Sequence, residues 1–252
     1  MTFLCRKGRI TGGHGTRWTD ARIGHVYVEG GGVFCEFASP LIAYNIIVDN
    51  NAVPRPDSRG AGGGGIRCGD GEPEIAHNLI ERNHGPYGGG LVLYFTAAHV
   101  HDNVIARNSG GRSFGGGGMW IAGRLATMAP VVLRRNVIAF NRAEADIADA
   151  ASGRAPEAGT GGAIRVYSGG VYDNRVIGCD NIIDRNFQTY GPEVAALPWE
   201  VRSGLSASKD AGRGDGNGLA GADSSLTRYL EWDPPNASSS DGRPCAMGRS
   251  PR

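Results

Sequence analysis

Lysine is almost missing from this chain. Of its 26 basic residues only Lys7 and Lys209 are lysines, and the rest are arginines. Such a bias reflects either a GC-rich coding sequence or a guanidinium-rich surface suited to carboxylates. Charge of one sign is missing too. Against 25 acidic residues the formal net charge is +1, so no bulk attraction draws the chain to nucleic acid or to an anionic membrane. No apolar run approaches the roughly 18 residues of a membrane-spanning helix. The opening residues, Met1 to Lys7, hold no apolar stretch of the roughly 7–15 residues that marks a secretory leader. The five cysteines are scattered without a C-x-x-C or other zinc-ligand spacing. Aromatics are only 8% and hydrophobic residues 40% of the chain, enough for a lean core. No helical period runs through it.

Glycine is what the chain has in excess, with 42 in 252 residues, more than twice the usual share of about 7%. They follow no G-X-Y period, which excludes collagen. The reason for them is an internal repeat. The hexapeptide N-[ILV]-I-x-x-N occurs five times, at Asn45–Asn50, Asn78–Asn83, Asn103–Asn108, Asn136–Asn141 and Asn181–Asn186, and takes up ten of the chain's 14 asparagines. A glycine cluster leads into a short apolar strand before each copy, at Val33, Ile66, Leu91, Met119 and Ile164. The distances from these residues to the first Asn are 12, 12, 12, 17 and 17.

Aligned by that register, Val33, Ile66, Leu91, Met119 and Ile164 form one apolar column. Cys35, Cys68, Leu93, Ile121 and Val166, two residues on, form another. A period of two places both on the inner face of strands. Between and beyond them, Phe34, Arg67, Val92, Trp120 and Arg165, then Glu36, Gly69, Tyr94, Ala122 and Tyr167, point outward. A third apolar column, Ile42, Ile75, Val100 and Leu133, precedes the hexapeptide by three residues and meets Gly178 in the last unit, where Asn174 offers a competing register. Such units predict an all-β parallel solenoid whose turns stack about 4.8 Å apart. Asn at both ends of the hexapeptide suits bends in the left-handed region and amides bonded to one another along the stack. Glycine clusters mark another corner, where positive φ or close approach excludes a side chain. The residues just before each hexapeptide, Tyr44, His77, Asp102, Arg135 and Asp180, carry signs suited to stacked neighbours.

Gly62-Gly63-Gly64-Gly65-Ile66 with Ile75-Ala76-His77-Asn78-Leu79-Ile80, and Gly88-Gly89-Gly90-Leu91 with Asn103-Val104-Ile105, resemble the repeats of right-handed parallel β-helix proteins of the pectate-lyase-like superfamily. Ile10-Thr11-Gly12-Gly13 looks like the strand end of an earlier coil. The resemblance covers about residues 8 to 190. It implies a right-handed parallel β-helix of about five to six coils over residues 1–196, followed by a Gly/Ser/Asp/Pro-rich, mostly disordered tail over 197–252. It also implies an extracellular or envelope location, and upstream coils or a cap before a first strand that starts so close to Met1.

Active members of that superfamily work on the outer face of one sheet. The matching face here is the glycine-led one, so the resemblance points to Arg67, Tyr94, Trp120, Arg165 and Tyr167 as substrate-binding residues, with Phe34 and Glu36 beside them. Aromatic planes stack on sugar rings and Arg pairs with uronate carboxylates. The expected partner is a polysaccharide or cell-surface glycan, bound with or without turnover. Lyase or glycosidase action on uronate-containing glycans and a purely structural or adhesive repeat are the alternatives. No catalytic residue and no resident cofactor or metal is identified. Ca²⁺ is the one ion that the acids would suit, at Asp70 and Glu72 or in Gly214–Gly218 with Asp223, which lacks EF-hand acid spacing. Gly13-His14-Gly15 matches a polygalacturonase tripeptide without the rest of that family's motifs, and Arg55, Pro56 and Arg59 are mis-spaced for a pectate-lyase motif. His99 and His101 alternate on one strand, but a metal site needs a third ligand, and on a regular strand Asp102 points away. Cys35 and Cys68 share a core column, as packed thiols or as a disulfide.

Overall fold

The computed structural model describes residues 4–123, 129–145, 159–167 and 176–189, apart from the side chains of residues 5, 6 and 167, together with the backbone of 194–195 and 201–202. Among these residues all regular structure is β and there is no helix. Three parallel sheets of six, seven and six strands run through the repeat. The glycine-led sheet stacks Val33–Glu36, Ile66–Gly69, Leu91–Tyr94, Met119–Ala122 and Ile164–Tyr167 in register, Val33 beside Ile66 and Leu91 beside Met119. The middle sheet includes Leu41–Ala43, Glu74–Ala76, His99–His101 and Val131–Arg134. The hexapeptide sheet stacks Ile46–Val48, Leu79–Glu81, Val104–Ala106, Val137–Ala139 and Ile182–Asp184. Each unit gives one strand to each sheet, an arrangement compatible with a parallel β-helix. Gly178 pairs with Leu133, so the last unit keeps the register despite its missing apolar side chain; Asn174 lies outside the described residues.

The inward columns form one continuous core in which Ile42, Ile47, Ile66, Ile75, Ile80, Leu91, Leu93 and Ile105 are fully buried. Cys35 and Cys68 are direct neighbours in it and are free thiols. Both asparagine columns are buried ladders. Asn83 is typical: its Oδ1 accepts from Asn50 N (3.1 Å) and Asn50 Nδ2 (2.9 Å), and its Nδ2 donates to Ile47 O (2.8 Å) and Asn108 Oδ1 (3.0 Å). The first ladder repeats this from Asn45 through Asn78, Asn103 and Asn136 to Asn181. Every lone pair and proton of the Asn83 amide has a use, which is what burial of a polar side chain requires.

The bend itself lies elsewhere than expected. The asparagines are not in the left-handed region. The residues just before them are: Tyr44, His77, Asp102, Arg135 and Asp180 have φ of 51–59°, as do Asp49, Arg82, Arg107, Phe140 and Arg185 at 49–58° before the second ladder. Asn is there for its amide, and its neighbour takes the strained torsion. The earlier coil expected at Ile10–Gly13 is present without the hexapeptide asparagines. Arg9–Ile10 pairs with Ile46 and Ile47, and Gly8 N and Gly13 N donate to Asn45 Oδ1 and Asn50 Oδ1 (3.0 Å each). Gly8 and Gly13 thus stand where later units have Asn.

The glycine clusters, triplets in four units and Gly161-Gly162-Ala163 in the fifth, combine two requirements. The first glycine of each, at Gly30, Gly63, Gly88, Gly116 and Gly161, has φ between 51° and 76°. The second leaves no room for a side chain: a Cβ on Gly64 would lie 2.2 Å from His84 O and 2.5 Å from Gly89 O. The second Asn ladder therefore runs past a bare glycine corner.

Candidate functional site

The outward residues of the glycine-led sheet do point away from the core, but the chain folds back over part of them. Thr16–Asp20 and His25–Glu29 form an antiparallel hairpin, extended in parallel by Gly60–Gly62. Asp20 closes its turn by accepting from Arg22 N at Oδ1 (2.9 Å) and Gly24 N at its carbonyl (2.7 Å). Alternation then aims Trp18 and Glu29 down onto the sheet.

Beneath them Arg67 is wholly buried. Its Nε donates to Glu29 Oε2 (3.1 Å), Nη1 donates to Cys35 O (3.0 Å) and pairs with Glu36, and the guanidinium carbon sits 4.2 Å from the Trp18 ring and 5.0 Å from that of Phe34. Glu29 also accepts from Trp18 Nε1 (2.7 Å) and from the Tyr87 hydroxyl. Burial pushes the Glu29 carboxyl up, against the pull of Arg67 and the bonds from Tyr87 and Trp18. Burial, with Glu29 next to it, pushes the Tyr87 hydroxyl well up too. A desolvated ion pair of this kind fixes the hairpin in one place on the sheet.

Further along the same face lies a second apolar cluster of Tyr87, Val92, Trp120 and Ala122, flanked by Tyr94 and Phe114. The Trp120 ring lies 5.2 Å from Tyr87 and 6.1 Å from Tyr94, and is only 7% exposed. Tyr94, Phe114 and Arg165 are half-buried, at the edge of the covered area. Arg22 reaches this rim from the hairpin turn, pairing with Asp70 and lying 4.4 Å over Phe95. The five sequence-predicted residues are thus presented differently. Arg67 lies under the hairpin, Trp120 under its aromatic neighbours, and Tyr94 and Arg165 reach solvent. Tyr167 continues the strand, its side chain outside the described residues. Glu36 and Asp70 are tied to arginines, and the backbone N–H of Glu72 donates to Ser39 Oγ (3.0 Å). The Gly214–Asp223 segment lies outside the described residues.

A second constellation sits at the bend before the first Asn ladder. His77 and His101 come from neighbouring units, with ring centroids 5.9 Å apart, and Tyr44 stacks on His77 at 4.7 Å. His101 Nδ1 meets Asp102 Oδ2 at 2.8 Å and its Nε2 meets Glu74 Oε1 at 3.2 Å. Arg135 donates to both oxygens of Asp102, each at 2.6 Å. Burial lowers the affinity of His77 for a proton. Burial works against ionisation of Asp102, but the bonds from Arg135 and His101 hold its carboxyl below the usual range. The sequence points to His99 with His101. The register instead brings His77 to His101, through the one-position offset between His77 and the strand residue Ala76 that pairs with His101.

Compared with protein-family models, curated proteins and solved structures, the chain matches none.

Proposed function

We propose that the chain is a right-handed parallel β-helix of the pectate-lyase-like kind, extracellular or of the cell envelope, that binds a polysaccharide on the outer face of the glycine-led sheet. The observation that supports this is the half-buried Tyr94, whose ring lies 5.9 Å from the Arg22 guanidinium, with half-buried Phe114 against Trp120 and half-buried Arg165 next to Trp120 on the neighbouring strand. Aromatic planes carry sugar rings there and guanidinium groups carry their carboxylates. Trp120 acts from beneath, supporting the Tyr94 ring. The roof over Arg67 favours a second reading: the same surface is structural, and the repeat spans or adheres without a small-molecule site.

A glycan array that includes uronate polymers, with ultraviolet absorbance followed for unsaturated uronate products, separates these readings. Retention of a polymer without new absorbance supports a binding module, and new absorbance supports a lyase. Tyr94→Ala weakens retention about tenfold, a loss of about 1.4 kcal/mol, and Trp120→Ala weakens it as well. No retention on any glycan, or unchanged affinity in both variants, refutes binding at this face and leaves the structural reading.

A further inference from the structure

We infer that the bend formed by His77, His101 and Asp102 is a binding site for a divalent transition metal of the zinc class. One ligand atom from each of the three residues lies within 4.8 Å of the others. Two imidazoles and one carboxylate are a donor set that zinc accepts at about 2.0–2.2 Å, with a fourth position left for water.

The backbone explains why three ligands meet where a flat strand would separate them. Asp102 has a φ of 55°. This left-handed turn swings its carboxylate back to the side on which His101 projects, to 2.8 Å from Nδ1. His77 has the same torsion, 55°, one repeat unit earlier. It therefore leaves its strand at the same bend and arrives beside His101. All three side chains are half-buried rather than waving in solvent.

The surroundings are those of a built site. Glu74 Oε1 faces His101 Nε2 at 3.2 Å. A carboxylate accepting from the distal ring nitrogen directs the lone pair of Nδ1 inward and raises its basicity, the usual outer support of a metal-bound histidine. Tyr44 stacks nearly flat on the His77 ring, at an angle of 14°, and so limits its rotation. Arg135 donates to both Asp102 oxygens, including the Oδ2 that faces His101. Its charge opposes a cation and sets the affinity at a moderate level. The metal takes the place of the direct contact between His101 Nδ1 and Asp102 Oδ2. That contact opens from 2.8 Å to the roughly 3.3 Å between two ligands on tetrahedral zinc, while His77 closes in.

The test is titration of the full chain with Zn²⁺, and with Co²⁺ as a spectroscopic probe. The expected result is one ion per chain, micromolar affinity, a tetrahedral Co²⁺ absorption band, and a higher melting temperature with Zn²⁺. His77→Ala and His101→Ala each weaken binding at least tenfold and remove the Co²⁺ band. Glu74→Gln weakens it about 10–100-fold, as removal of outer support does. His99→Ala, on the same strand but outside the cluster, leaves it unchanged. Circular dichroism without metal identifies any variant that misfolds, and His77→Gln then replaces His77→Ala. Absence of stoichiometric binding, or affinity unchanged in both the His77 and His101 variants, overturns the inference. Equal loss on His99→Ala overturns it too, since that would indicate only diffuse histidine binding.

Discussion

Replacing Asn83 tests the logic of the ladders most directly, because each of its four hydrogen bonds has a named partner. In Asn83→Ala the N–H of Asn50 loses the acceptor that it holds at 3.1 Å, and an orphaned buried donor costs about 1–3 kcal/mol. Asn50 Nδ2 keeps the carbonyls of Ile10 and Val48 and is spared. The two bonds that Asn83 Nδ2 donates, to Ile47 O and Asn108 Oδ1, contribute about 1 kcal/mol each. The expected loss is about 3–5 kcal/mol in urea unfolding, the same at pH 4 and pH 7. Asn83→Asp has nearly the same shape but turns the donating side into an oxygen facing two acceptors. At neutral pH it costs at least as much. Its carboxyl, favoured protonated by burial and by those acceptors, has a folded pKa above the unfolded value of about 3.9. A proton restores one donor. The Asp variant is therefore closest to wild type below about pH 4, and the deficit grows as pH rises through the folded pKa. An Asp variant within about 1 kcal/mol of wild type at pH 7, or one whose deficit does not change with pH, would refute the claim that the ladder amides are dry and fully used.

Three further outcomes follow from the same geometry. Arg67→Met leaves Glu29 and Glu36 without their buried cation and costs about 3–5 kcal/mol in chemical unfolding, and adding Glu29→Gln recovers part of the loss. Glu29 itself has a raised folded pKa, so its stabilising contribution is full at pH values below the unfolded value and is lost as pH rises through the folded one. Glu29→Gln flattens that part of the stability–pH curve, and an unchanged curve would contradict the burial argument. Gly64→Ala, with its Cβ 2.2 Å from His84 O, destabilises by about 3 kcal/mol as overpacking of backbone does. Gly12→Ala, which meets nothing within 4 Å at a φ of +73°, costs only the left-handed strain of about 1–2 kcal/mol. Equal melting temperatures for the two would refute the close-approach account.

The repeat register is legible in the sequence because one requirement recurs. A ladder amide has to be Asn in every unit, and an inward position has to be apolar, so the columns from Val33 to Ile164 and from Asn45 to Asn181 align without a structure. The exposed torsions are not legible in the same way. The bend residue needs only to tolerate positive φ, and Tyr, His, Asp and Arg all do so here, which leaves no signature and places the bend one residue away from the Asn that marks it. Among the described residues the hairpin over Arg67 occurs once and has no counterpart in other units. Its one signal is the alternation in Thr16–Asp20 and His25–Glu29 about a short turn. Without it, Arg67 reads as an open surface arginine and not as a buried cation. His77 escapes for a related reason: its partner is one repeat away, and local spacing shows only His99 and His101.

Successive ladder asparagines are separated by 33, 25, 33 and 45 residues, yet their amide contacts stay between 2.9 and 3.1 Å. The scaffold does not register how much chain lies between two of its rungs. Closing a 45-residue excursion instead of a 25-residue one costs about 0.5 kcal/mol on loop-entropy grounds, less than one of the hydrogen bonds that close it. Each rung is a fixed address, and the bends between the strands are free to change in length while the glycine corners and inward apolar positions are kept. Whole units copied as Gly63–Tyr87 extend the molecule while its neighbours keep their contacts.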